Sequence, residues 1–168
     1  MKITEKLDVI IEKHPLYESL NKKLLEDAQA ATWGGDTTPD LYEGDTASFS
    51  GAHTNSKSID LIFSWTAELI NNRYSYMRGF RLRLLSSWFV RYGRGDETPD
   101  HDHLPALYSW VYFIKCPKGS PPLTFTNSGK RIKSEEGKIV IFPSVVRHYV
   151  SKSNCDDRLV LVGNINTL

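Results

Sequence analysis

The spacing of apolar residues changes once along the chain, near Gly79, and the change divides it into a helical part and a β part. Before it, Ile3, Leu7, Ile10 and Ile11 fall on one helical face, and Pro15 ends that pattern. Leu16, Leu20, Leu24 and Leu25 begin a second amphipathic helix that runs towards Ala31. Trp33 to Ser58 is rich in Gly, Asp, Thr and Ser, which predicts a long irregular segment with one short strand near Ala47–Phe49. A third helix is expected from about Ser58 to Tyr76, burying Ile59, Ile62, Phe63, Leu69 and Ile70.

After Gly79 the period shortens to two. Phe80, Leu82, Leu84, Trp88, Val90 and Tyr92 occupy mostly alternate positions, as in one half-buried strand or two in succession. Tyr92-Gly-Arg-Gly-Asp reads as a turn, and Tyr108–Lys115 as a strong strand closed by Cys116-Pro-Lys-Gly. Leu123–Thr126, Lys138–Phe142, Arg147–Ser151 and Arg158–Asn164 are expected as further short strands. Helices followed by many short strands predict a mainly β protein, a helix-flanked sandwich or barrel. With no internal repeat or linker, residues 1–168 are expected to form one domain. Residues 1–78 would supply helical support and loops, and 79–168 the β core.

Composition narrows the function. The chain has 168 residues, 40% hydrophobic and 24% charged, with 21 Lys+Arg against 20 Asp+Glu. A balance so near zero favours neither nucleic acid nor an anionic membrane as partner. Arg73, Arg78, Arg81, Arg83, Arg91 and Arg94 are interleaved with apolar residues, which suits side chains that lay their stems along a surface. No apolar run reaches the roughly 20 residues that a spanning helix needs. The N-terminal MKITEKLDVIIEKHP does not read as a signal peptide. Cys116 and Cys155 have no CxxC spacing and allow one bridge at most, so a reducing, cytoplasmic setting is expected.

Three of the five histidines carry the candidate chemistry. His101 and His103 are two apart, and on an extended chain such residues face the same way, so both imidazoles can meet one metal ion. The same spacing also fits two histidines on a surface strand. His148 follows a buried KIVIF run and Pro143-Ser144, and fits either a third ligand or a strand-edge histidine bonded to a carbonyl. Arg158 lies ten residues further on, ahead of Leu-Val-Leu-Val. Burying a guanidinium there calls for an anionic partner. A carboxylate ligand gripped by two N–H groups fits, as does a salt bridge to Asp156 or Asp157.

Together these residues resemble a known family. Tyr92-Gly-Arg-Gly-Asp-Glu-Thr-Pro-Asp-His101-Asp-His103 resembles the first metal motif of the prolyl-hydroxylase-like branch of the Fe(II)/2-oxoglutarate dioxygenases. The continuation is similar to small bacterial and phage-encoded members. These carry HxH, a Ser-x-Val-Tyr strand, Phe-Pro-Ser…His, then an Arg ahead of a last strand ending in Asn. Ser109, Tyr112, Phe142, Pro143, Ser144, Arg158 and Asn164 stand at the matching places, and the resemblance covers Trp88 to Asn164. It implies a double-stranded β-helix (jelly roll, cupin-like) core. It also implies Fe(II) on His101, His103 and His148, with 2-oxoglutarate as cosubstrate. Arg158 would hold the far carboxylate of 2-oxoglutarate, and Tyr92 would give a hydrogen bond in the pocket.

The usual iron triad has a carboxylate where this chain has His103. Such a site has one negative charge fewer and also suits zinc or nickel. Asp100 and Asp102 are out of phase with the histidines, which gives them supporting or surface roles, with Asp102 as a reserve ligand through a β-bulge. The implied activity is hydroxylation of a C–H bond in a peptide or protein, prolyl by the branch resembled, or in a small molecule. Two other readings compete: a cupin-like metal-binding protein with another activity or none, and an inactive interaction protein on the same fold. His14 and His53 fall outside the pattern and are expected at the surface or at a cap.

Overall fold

The computed structural model describes residues 7–31, 33–35, 50–53 and 56–168. Its first element corrects the helical reading of Ile10 and Ile11. Ile10–Lys13 is a strand (β1), paired antiparallel with Lys138–Pro143. Ile10 is the one buried residue of the four. A helix here would leave the backbone edge of the partner strand bare, and ladder hydrogen bonds outweigh a weak helical preference. Leu7, also expected on that helical face, is exposed and not helical, and Ile3 lies outside the described residues.

Next come α1 (Tyr17–Ala30), β2 (Gly34–Gly35), β3 (Ser50–His53) and α2 (Lys57–Arg73). The strand expected near Ala47–Phe49 lies outside the described residues. β4 (Leu82–Tyr92) is one long strand, and β5 (Thr98–His101), β6 (Tyr108–Lys115) and β7 (Leu123–Phe125) follow. β8 (Arg131–Ile132), β9 (Lys138–Pro143), β10 (His148–Val150) and β11 (Arg158–Thr167) complete the order. The chain is therefore mainly β with two α-helices among the described residues. Three strands of the larger sheet come from the part expected to be helical and loop-like. None of the described helices is long and apolar enough to cross a membrane.

The strands form two sheets, ordered β1-β9-β6-β11-β4-β3-β2 and β5-β10-β7-β8. Alternation along β6 shows how they are used. Val111 and Phe113 join Val90, Val140, Phe142 and Val160 with Leu123, Phe125 and Val150 of the smaller sheet, forming a core between the sheets. Tyr108, Trp110, Tyr112 and Ile114 face the helices, packing with Leu20, Leu24, Ile59, Ile62 and Ile70. Those helical residues recur at three- and four-residue spacing, so each helix buries one stripe.

Polar ties fix the helical layer. The Ser56 hydroxyl caps α2 by accepting from Ile59 N and donates to Asp27 at 2.7 Å. Asn21 of α1 accepts from Tyr112 Oη at 2.8 Å and donates to the Ile114 carbonyl at 2.7 Å. His14 rests edge-on against Trp65, with ring centroids 4.7 Å apart.

Gly163 stands opposite Trp110 in the β11–β6 ladder. A Cβ there would lie 2.5 Å from Cζ2 and 2.6 Å from Cε2 of that indole, which is fully buried. Gly163→Ala is expected to destabilise the fold by about 1–3 kcal/mol through overpacking, several degrees in Tm for a domain of this size. Thermal unfolding by circular dichroism measures it, and an unchanged Tm would mean that the indole can swing aside freely.

Candidate functional site

Register brings the first two histidines together. His101 ends β5 and His148 opens β10, and they are directly paired across the ladder. His103 lies just past β5, where its backbone N–H donates to the Ser144 carbonyl at 2.9 Å. The three rings stand 4.4–5.1 Å apart between centroids, and one ligating nitrogen from each lies within 4.8 Å of the others.

The ring nitrogens are already sorted. His101 Nδ1 lies 2.8 Å from the Pro99 carbonyl, and His148 Nδ1 lies 3.0 Å from the Val146 carbonyl. A carbonyl only accepts, so both Nδ1 atoms carry the proton and each Nε2 keeps a lone pair for a metal. Phe142 packs at 4.7 Å from the His148 ring and Trp88 at 6.3 Å from His103. Burial, reinforced by neighbouring imidazoles, pushes His103 and His148 down to about 3, and burial also lowers His101. Neutral imidazoles are the ligating form.

Those shifts carry a sign that is open to test. In the unfolded metal-free chain the histidines take up protons below about pH 6.5. In the fold His103 and His148 stay neutral towards about pH 3, and burial lowers His101 as well. The unfolded state therefore binds more protons across that window, and stability falls as pH drops from about 6.5. The slope is at most about 1.4 kcal/mol per pH unit for each histidine. Urea midpoints of metal-free protein at pH 7.5 and pH 5.5 should differ in that direction, and equal midpoints would contradict neutral burial.

Asp100 and Asp102 turn away from the cluster. Arg147 Nε holds Asp100 at 2.8 Å and its Nη1 reaches Asp102 at 3.4 Å. Thr126 also bonds Asp100. Among the described residues the metal-competent group is His101, His103 and His148, with neither aspartate in it.

Arg158 opens β11 opposite Tyr92, the last residue of β4. Its side chain is fully buried, and its Nε and Nη1 have no hydrogen-bond partner among the described residues. The guanidinium lies over the Tyr92 ring at 4.5 Å and near the Phe113 ring at 5.6 Å. The aspartates next to it in sequence are engaged elsewhere: Asp156 with Arg94, Asp157 with Arg91 and Lys115. An unpaired buried cation is costly, so its position calls for an anion.

Arg158, Tyr92 and the three histidines line one cavity of about 510 Å³ including its open mouth. Sequence reasoning missed Thr98 in this wall, whose hydroxyl is 2.6 Å from Tyr92 Oη. A lone threonine near a turn gives no signal of that kind. Asn164 also lines the cavity, and in the sequence it stood out only as a pattern match. His14 lies outside the cavity lining, as do Cys116 and Cys155, which are free thiols.

The donor set suits a divalent metal: three neutral imidazoles on one cavity wall, beside a cation lacking a counter-ion. The sequence matches no protein-family model and no curated protein. The fold is similar to that of a viral collagen prolyl hydroxylase from Paramecium bursaria chlorella virus-1 in complex with 2OG. That match has 15% identity and a TM-score of 0.71, covering 95% of this chain and 96% of the other. A prolyl-4-hydroxylase from Pseudomonas putida aligns at 18% identity and TM-score 0.70, covering 94% and 91%. A prolyl hydroxylase from Trichoplax adhaerens, in complex with a hypoxia-inducible-factor peptide fragment, aligns at 12% and 0.72, covering 94% and 83%. At such identities the likeness establishes a shared fold.

Proposed function

We propose that this chain is an Fe(II)- and 2-oxoglutarate-dependent oxygenase, formed as a single domain over residues 1–168 around a double-stranded β-helix. The alternation of the chain supports that core: β4, β6, β9 and β11 lie in the larger sheet, and β5, β7, β8 and β10 in the smaller. The observation that carries the function is the fully buried, unpaired guanidinium of Arg158 in the cavity that the three histidines line.

His101 and His148 would hold the ion through Nε2 with His103 as the third ligand, each kept neutral by burial. Arg158 would take the far carboxylate of 2-oxoglutarate in two parallel N–H···O bonds, with the Tyr92 ring against one face of the guanidinium. Tyr92 and Thr98 offer a hydroxyl pair in the same cavity for a further hydrogen bond. Bound iron and 2-oxoglutarate would together supply the oxidising power for hydroxylating a C–H bond. The chain contributes position and dryness. Val90, Val111, Leu123, Val150 and Val160 line the cavity and exclude water around the ligands. No side chain need act as nucleophile.

The substrate class is a peptide or protein residue, prolyl in the branch resembled, or a small molecule. The solved relatives favour the former, because several are prolyl hydroxylases and one holds a peptide. A cytoplasmic setting fits the free thiols of Cys116 and Cys155.

The test is anaerobic. Purified protein loaded with Fe(II) is titrated with 2-oxoglutarate while the visible spectrum is followed. A charge-transfer band requiring both components is expected. Iron binding without the band would favour the cupin-like reading, and failure to bind any divalent metal would sink both.

A further inference from the structure

A chain of hydroxyl groups ends on Asn164 at the cavity wall. Ser144 and Ser109 are buried, with their Oγ atoms 2.8 Å apart. Ser109 Oγ donates to Asn164 Oδ1 at 2.8 Å, and Asn164 Nδ2 donates to Ser86 Oγ at 3.3 Å. The relay is tied to the histidine cluster, because the Ser144 carbonyl accepts the His103 N–H. Asn164 lies six residues beyond Arg158 on β11, roughly 20 Å along an extended strand. The cavity thus has a cationic end and a carboxamide end, with the histidines among its lining.

A carboxamide has two N–H donors and one carbonyl acceptor. Ser109 engages its oxygen and Ser86 one N–H. One N–H is left over. Turning the amide the other way round leaves the same count, since one N–H would then bond Ser109. Two neighbours hold this group in place, yet its donor capacity is incomplete in a cavity wall. That is the arrangement expected of a group waiting for a ligand oxygen.

The remaining lining limits what that ligand can be. Among the described cavity residues Arg158 is the single permanently charged side chain, and it stands at the other end. Val162 lies two residues before Asn164 on β11 and is paired with Trp88 of β4, and both line the cavity beside it. Exposed Leu104 and Val145 sit on the segments that carry His103 and Ser144. A charged substrate group entering here would lose water without gaining a counter-ion.

We propose that Asn164 is a substrate-binding residue that donates its free N–H to a carbonyl or hydroxyl oxygen of an uncharged substrate group. The inference rests on the oxygenase reading above, and it separates capped or internal peptide residues and neutral small molecules from free amino acids.

The test measures 2-oxoglutarate-dependent succinate release with three probe pools. One contains acetyl- and amide-capped mixed peptides without ionisable side chains, one neutral sugars and nucleosides, and one the free amino acids. Stimulation by either neutral pool is expected, and which one responds tells peptide from small molecule. Asn164→Leu should lower kcat/KM for the responding pool at least tenfold, while the anaerobic 2-oxoglutarate titration keeps its midpoint. Asn164→Asp, isosteric and still able to accept from Ser109, guards against a folding defect and should show the same loss.

Stimulation by free amino acids alone, or by none of the pools, overturns the proposal. So does wild-type kcat/KM in both variants. A wild-type protein without the iron- and 2-oxoglutarate-dependent band instead removes the oxygenase reading on which the proposal stands, and is recognised before any pool is added.

Discussion

Arg158→Met is expected to abolish 2-oxoglutarate binding in the useful range while making the metal-free protein more stable. Losing the ion pair to a buried carboxylate costs about 2–5 kcal/mol, or roughly 30- to 5000-fold in the 2-oxoglutarate midpoint. Iron affinity should stay near that of wild type, because Arg158 is not in the histidine group. Stability should move the other way. Without an anion the guanidinium is fully buried with Nε and Nη1 unpartnered. Replacing buried ionic groups with well-packed apolar ones is often stabilising, by about 1–4 kcal/mol. Urea unfolding of metal-free wild type and variant decides the second half. A variant with weakened cosubstrate binding and lower stability would mean that Arg158 is mainly a structural element of the Tyr92–Phe113 core.

The second large effect falls on the metal. His148→Ala is expected to remove tight divalent-metal binding, by two orders of magnitude or more, and with it the charge-transfer band. His148 is the one buried member of the triad, the other two being half-buried, and its Nδ1–H is held by the Val146 carbonyl. Two remaining imidazoles make an incomplete site that solvent must finish. The variant also leaves a cavity against Phe142 and Phe125, whose rings lie 4.7 and 6.5 Å from it. Some loss of stability should therefore accompany the lost metal. Asp102→Ala is the control, since that carboxylate faces Arg147. Isothermal titration with Fe(II) under anaerobic conditions distinguishes them. A metal-binding loss in Asp102→Ala as deep as in His148→Ala would give the third ligand role back to the carboxylate.

Much of the β part was legible in the sequence because burial on one face leaves a period of two. Tyr108–Lys115, Lys138–Phe142 and Arg158–Asn164 all stand as strands with ends close to those expected. Leu24, Ile59, Ile62 and Ile70 likewise mark their helices by spacing alone. β8, with two residues, is too short to carry a period. Ile10 and Ile11 failed for a different reason: two adjacent isoleucines satisfy a helical face and a strand alike, and a distant partner decided between them.

The site shows the same division. HxH and the later histidine were readable because chemistry restricts which residues can stand there. Arg158 was readable because a charge before an apolar run needs a reason. The engagement of Asp156 and Asp157 by other cations is a matter of three-dimensional packing, and no spacing rule foretells it. Thr98 and Ser86 act through hydroxyls that are among the commonest turn and surface groups, and only the folded register reveals their partners.

β1 has a consequence beyond completing a ladder. The strand it covers, Lys138–Pro143, reads KIVIFP, apolar and β-branched, and an uncovered edge of that kind is a template for a neighbouring chain. β1 is four residues long and carries Glu12 and Lys13, with Lys13 anchored to Glu135 at 2.8 Å. Short and charged, it offers little for another strand to extend. A segment whose isoleucines also fit a helical face thus acts as a stopper against edge-to-edge polymerisation, separate from anything the metal does.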